Sequence, residues 1–157
     1  MKKSGESEVL LVGQAPSKLT EGLGAFRGRS GRFLAGMLGT TLEGFLASVE
    51  AVNLLDRWPG KAGKGDRFPA KLAGKKARLL PVVGRTVVLA GLNVAKAFGH
   101  VGRRFLEVWR SGGATFALVP HPSGVNRWWN DPANKEAAAE LLGRLVGCRG
   151  SRRKRSS

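Results

Sequence analysis

Short apolar runs punctuate the chain at four places. Val9-Leu10-Leu11-Val12 ends at Gly13, and Val49 to Leu55 is interrupted by Asn53. Thr86 to Ala90 ends at Gly91, and Thr115 to Val119 ends at Pro120. Continuous apolar runs of this length suit strands buried on both faces, as in a parallel sheet covered by helices. The β-branched content of Thr86-Val87-Val88 supports a strand there. Segments with helical spacing lie between the runs. Ser30 is placed to cap a helix from about Gly31 to Leu38, with Phe33, Leu34, Met37 and Leu38 on one face. Residues 70–80 predict a helix whose apolar set is Leu72, Ala73, Ala77 and Leu80. Gly91 opens another over roughly 92–99. Asp131 before Pro132 is an N-cap acid with proline at the first helical position. Leu141, Leu142, Leu145 and Val146 form the apolar stripe of that last helix. Residues 104–110 fit helix or strand, and the Gly-, Pro- and Lys-rich stretch from Arg57 to Pro69 predicts a loop.

Strands alternating with helices predict an α/β fold. The expected architecture is a three-layer α/β/α domain with a central, mostly parallel four-stranded sheet. No internal repeat or second domain is visible. The domain is expected over residues 1–148, followed by a basic, disordered tail at 149–157. Ligands in such sheets bind beyond the carboxyl ends of the strands. That rule selects Gly13–Ser17, Asn53–Trp58, Gly91–Asn93 and Pro120–Trp129.

Composition narrows the partner. The 157 residues hold 27 Lys and Arg against 11 Asp and Glu, a net charge of +16. Such an excess calls for a polyanion, and nucleic acid is the default. Only five of the basic residues sit in the tail, so the body is strongly basic too. A hydrophobic content of 42% excludes a disordered polycation. No apolar run approaches the roughly 18–20 residues that span a bilayer, so no membrane partner is expected. The first residues carry no signal-peptide pattern. The single cysteine, Cys148, allows neither an internal disulfide nor a cysteine-only metal site. The expectation is a monomeric intracellular protein of the cytoplasm or nucleoid, or of the nucleus in a eukaryote.

Four segments can carry chemistry. The strand-end loop Gly13-Gln14-Ala15-Pro16-Ser17 can aim backbone N–H groups and a side chain at a ligand, or simply turn the chain. Ala25 to Phe33 interleaves glycines with Arg27, Arg29, Arg32 and two phenylalanines. Arginine suits phosphate, and an aromatic ring offers a stacking face for a base. Phe33 lies on the apolar helix face and is expected in the core, while Phe26 is freer to serve a site. Asn53, isolated in an apolar run, must satisfy its amide on a neighbouring loop or on a base edge. In Pro120-His121-Pro122-Ser123-Gly124-Val125-Asn126-Arg127-Trp128-Trp129, two prolines hold a histidine at a strand end. A lone histidine is usually structural, but this setting fixes the ring. Two adjacent tryptophans cannot easily both be core, so one is expected to be exposed for stacking or wedging.

The ordered set VLLVGQAP, AFRGRSGRFL, AVNLLDRWPG, VVLAGLNVAKAFG and LVPHPSGVNR resembles the uracil-DNA glycosylase superfamily over about residues 8–147. The spacing is most similar to the short, thermophile-type branch. The resemblance implies a monofunctional, metal-independent enzyme of base excision repair. It would flip uracil or a related deaminated base out of DNA and hydrolyse its N-glycosidic bond, with no cofactor. It implies a catalytic donor in His121 and a water-side residue in Gln14. Gly13 and Ala15 would face the base, Phe26 would stack on it, and Asn53 would read its O4/N3 edge. Ser17, Arg27, Arg29 and Ser123 would hold DNA. Val125, Arg127 and Trp128 would enter the minor groove. Flipping is needed because the bond is inaccessible inside the stack.

Two departures stand out. Branch members with an iron–sulfur cluster use four cysteines, and this chain has one. Many members carry Asp, Glu or Asn in the first loop to position water; here the positions read Gln14 and Ala15. The nearest acids are Glu21 and Asp56, neither at a motif position. The alternative is therefore a catalytically weak or inactive DNA-binding protein on the same scaffold. For the tail, deletion of residues 149–157 is expected to lower DNA affinity and flatten its dependence on salt, since fewer phosphates are neutralised. An unchanged salt slope in a binding titration would show that the tail is idle.

Overall fold

The computed structural model describes residues 8–63, 65–122 and 126–147. Cys148 and the basic tail lie outside the described residues. In chain order the elements are β1 (Val9–Gly13), α1 (Arg29–Met37), α2 (Leu42–Ser48), β2 (Glu50–Asn53), β3 (Lys61–Ala62) and β4 (Gly65–Asp66). They continue with α3 (Ala70–Leu79), β5 (Thr86–Ala90), α4 (Leu92–Ala97), β6 (Val108–Ser111) and β7 (Ala114–Val119). A single 3-10 turn (Arg127–Asn130) leads into α5 (Pro132–Val146).

The sheet order is β2-β1-β5-β7-β6. The first four strands are parallel, and β6 joins the edge antiparallel to β7. The central strands β1, β5 and β7 are buried on both faces, as their unbroken apolar runs require. Alternate residues feed two cores. Leu10, Val12, Val87, Leu89 and Leu118 pack with Ala73 and Ala77 of α3 and Val94 of α4. Val9, Leu11, Val88 and Val119 pack on the opposite face with Leu34 of α1, Phe45 of α2 and Leu142 of α5. This is the three-layer α/β/α fold, with a mostly parallel sheet. Residue parity along each strand produces it, because successive side chains point to opposite faces.

The sheet has one strand more than the apolar runs announce. The open segment 104–110 resolves into a turn and then β6. The cause lies in Gly112 (φ 58°) and Gly113 (φ 83°), whose paired positive φ angles let a two-residue hairpin pair β6 with β7. Other local expectations are corrected. Gly28, not Ser30, occupies the N-cap of α1, and the Ser30 hydroxyl donates instead to the Pro122 carbonyl at 2.9 Å. Leu72 is 58% exposed because the buried face of α3 is made by small residues, Ala73, Gly74 and Ala77. The loop after β2 contains the β3–β4 hairpin. Helix α2 is capped by Thr41, whose hydroxyl accepts from Gly44 N at 3.0 Å. Asp131 caps α5 as the sequence indicates, accepting from Ala133 N at 2.9 Å.

Strand β1 has β2 on one side and β5 on the other, so the chain changes direction there. The carboxyl-edge crevice next to β1 is the topological switch point where α/β sheets take ligands. Among the described residues, no helix is long and apolar enough to cross a membrane. The packing separates two leucines clearly. Leu89→Ala is expected to cost about 2–5 kcal/mol and Leu72→Ala within about 0.5 kcal/mol, read from urea unfolding. Equal losses would contradict the burial described.

Candidate functional site

Four strand ends meet at the carboxyl edge of the sheet. Gly13 ends β1, Asn53 ends β2, Ala90 ends β5, and His121 follows β7 by two residues. In the parallel β1–β2 ladder Gly13 lies directly opposite Asn53. The segment Phe26–Ser30 closes over these ends, and together they enclose a cavity of about 150 Å³. Its walls include Gly13, Gln14, Ala15, Ser17, Phe26, Arg27, Arg29, Asn53, Asp66 and His121.

Close approach at Gly13 sets the geometry. A Cβ on this residue would stand 2.6 Å from Asn53 Oδ1 and 2.7 Å from the Phe26 ring. The carboxamide and the aromatic ring therefore converge on one spot that only glycine leaves open. Phe26 holds its place at a cost. Its φ of 61° is left-handed, a conformation worth about 1–3 kcal/mol of strain for a residue with a Cβ. Gly31 permits this turn, since a Cβ there would sit 1.8 Å from the Phe26 carbonyl oxygen. The ring is 9% exposed, so it both seals a core and faces the cavity. Asn53 is half-buried, and among the described residues its carboxamide has no hydrogen-bond partner.

Backbone contacts fix the loop that carries His121. Its carbonyl accepts from Trp129 Nε1 at 3.0 Å and from Asn126 Nδ2 at 3.3 Å. The Ser30 hydroxyl holds the next carbonyl, that of Pro122. Trp129 is buried and packs edge-on to Phe33, with ring centroids 5.0 Å apart. The imidazole itself is half-buried and forms no hydrogen bond with a described residue. Burial pushes its pKa below the ordinary histidine value, and the Asp66 charge pulls weakly the other way. At neutral pH the ring is a neutral donor and acceptor.

Gln14 is oriented from the side, its Oε1 accepting from Asn93 Nδ2 of α4 at 3.3 Å. Ser17 is exposed and shares a local turn with Thr20, their hydroxyls 2.9 Å apart. Arg27 and Arg29 are exposed at the rim. Two sequence-selected residues lie away from the cavity wall. Arg127 is exposed in the 3-10 turn, while Trp128 is half-buried and edge-on to Phe105 at 5.8 Å. The tryptophan pair is thus split: Trp129 anchors the His121 loop, and Trp128 keeps part of its surface open. Ser123 and Val125 lie outside the described residues.

Three residues escaped the sequence reading. Asn126 and Trp129 act through backbone carbonyls, which no motif spacing encodes. Asp66 reaches the cavity from the β3–β4 hairpin, and its only sequence signal is a place in a loop following the asparagine strand. Among the described residues, no group of three His, Cys, Asp or Glu side chains is placed to hold a metal ion.

No curated protein matches the chain. The sequence model of the uracil DNA glycosylase superfamily matches residues 3–143, a span that holds every wall of the cavity and all five strands of the main sheet. The chain therefore belongs to the uracil-DNA glycosylase superfamily, a family of DNA glycosylases that act on DNA in repair by hydrolysing N-glycosyl bonds.

Proposed function

We propose that the chain draws uracil or a related deaminated base out of DNA into this cavity and hydrolyses its N-glycosidic bond. One observation carries the reading. The Asn53 carboxamide, the Phe26 ring and the His121 imidazole share a single cavity, and neither polar group has a hydrogen-bond partner among the described residues. Unpartnered polar groups at a half-buried site are costly unless a ligand or water completes them.

A pyrimidine base suits the three groups. Its face stacks on Phe26. Its O4/N3 edge offers an acceptor and a donor, and a carboxamide offers the complementary pair. Such a base is rejected or accepted by whether the buried amide is satisfied. Breaking the N-glycosidic bond leaves a cation-like sugar and an anionic base. A neutral His121 then donates to O2 of the leaving base. Its neutrality matters, because an imidazolium would have to be desolvated in the free enzyme. A preorganised donor to a developing anion contributes roughly 3–4 kcal/mol. Gln14, fixed by Asn93, orients water beside the amides of Gly13 and Ala15. Arg27, Arg29 and Ser17 hold the flanking phosphates at the rim. Ser123 would hold a further phosphate, and Val125, Arg127 and Trp128 would enter the minor groove and fill the gap left by the base. The net charge of +16 supports tight, salt-sensitive binding to DNA.

The direct test is alkaline cleavage of single- and double-stranded oligonucleotides with one uracil after incubation with the protein. Strand scission at the uracil is expected. Binding without scission at stoichiometric protein would favour a non-catalytic DNA-binding protein on the same scaffold. His121→Ala and Asn53→Ala are each expected to slow excision about 10²–10³-fold while DNA affinity stays within a few fold. Unchanged rates would refute these two roles. Gly13→Ala is expected to abolish excision and, because Phe26 also seals a core, to lower fold stability, since the added carbon displaces the Asn53 and Phe26 side chains. An active Gly13→Ala protein would contradict the convergence at that residue.

A further inference from the structure

Hydrolysis needs a water brought to the sugar carbon, and the first loop offers only Gln14 and Ala15 for that task. The two acids nearest that loop and the asparagine strand are committed elsewhere. Glu21 Oε2 accepts from Trp58 N at 2.9 Å, which ties the first loop to the segment after β2. Asp56 Oδ1 lies 3.4 Å from Lys76 Nζ on the face of α3. The carboxylate on the cavity wall is Asp66. It sits in β4, where its ladder partner is Lys61. Among the described residues it forms no ion pair or hydrogen bond. Arg27 and Arg29 stand on the same wall, and the Asp66 charge reaches the His121 ring.

We propose that Asp66 is the general base that activates the attacking water. The proposal rests on the glycosylase reading and completes it. As the bond from the sugar C1′ to the base nitrogen breaks, its electron pair leaves with the base. The water oxygen forms the new bond to C1′, and a water proton passes to the Asp66 carboxylate. The base departs as an anion held by His121 and takes a proton from solvent afterwards. Asp66 then releases its proton to solvent. A carboxylate has the basicity for this transfer that the Gln14 amide lacks. Its place on a short hairpin at the surface, rather than in the first loop, explains why the cavity retains an acid while the motif position has none.

The test compares single-turnover excision with affinity for a uracil-containing duplex, in the full chain and in the isosteric variant Asp66→Asn. The expected result is excision slowed about 10²–10⁴-fold, with affinity equal or tighter and an unchanged thermal midpoint. Excision within three-fold of the parent would overturn the role of Asp66 and leave the glycosylase reading standing. Loss of affinity or of folding in step with the rate would also overturn it, by showing that Asp66 holds structure or DNA. No excision by the parent chain would overturn both. Asp56→Asn serves as the control acid and is expected to excise at the parent rate; a loss there equal to that of Asp66→Asn would overturn the assignment.

Discussion

Gly13 ends β1 opposite Asn53, and the Phe26 ring fills part of the space that a side chain at Gly13 would take. Most of the site depends on that contact. The parallel register decides which residue of β2 faces Gly13, and a slip of one residue would turn Asn53 away from the cavity. The lack of a side chain at Gly13 lets an amide and an aromatic ring both occupy the space that a Cβ there would need. Phe26 accepts a left-handed backbone to get there, and Gly31 makes room for its carbonyl. Strain stored at a residue that lines a cavity fits a role in holding a ligand rather than in holding the fold.

The opposite wall is built by a different device. His121 is held through its carbonyl by Trp129 and Asn126, and the next carbonyl is held by Ser30. The ring is thereby positioned without a hydrogen bond of its own to any described residue. Burial favours its neutral form, so the free protein need not carry a third positive charge beside Arg27 and Arg29. In the proposed function the basic rim would meet phosphate, and the interior beside His121 would meet an uncharged base.

The parallel strands are legible because burial on both faces leaves unbroken apolar runs, and each run ends at a residue that turns the chain. The strand-end rule then selects the carboxyl edge of the sheet, where the cavity lies. Nine of the residues chosen from the sequence line one cavity: Gly13, Gln14, Ala15, Ser17, Phe26, Arg27, Arg29, Asn53 and His121. β6 is set by the Gly112-Gly113 turn and not by its own pattern. Leu72 fits a helical stripe, yet α3 lies on the sheet through alanines and a glycine. Ser30 looks like a cap but bonds a carbonyl 92 residues away. Asp66 arrives from a hairpin inside a stretch with no periodicity. The β6 hairpin is decided by its local turn, and the others by tertiary contact, which local spacing does not record.

The central claim is that a base leaves the DNA stack and comes to rest between Phe26 and Asn53. A crystal structure of the chain with a duplex carrying 2′-fluoro-2′-deoxyuridine, whose glycosidic bond resists cleavage, tests it directly. The uracil ring is expected on Phe26, with its O4/N3 edge on the Asn53 amide and O2 towards His121. A duplex bound with that uracil still stacked and paired, or a flipped base lodged elsewhere, would contradict it.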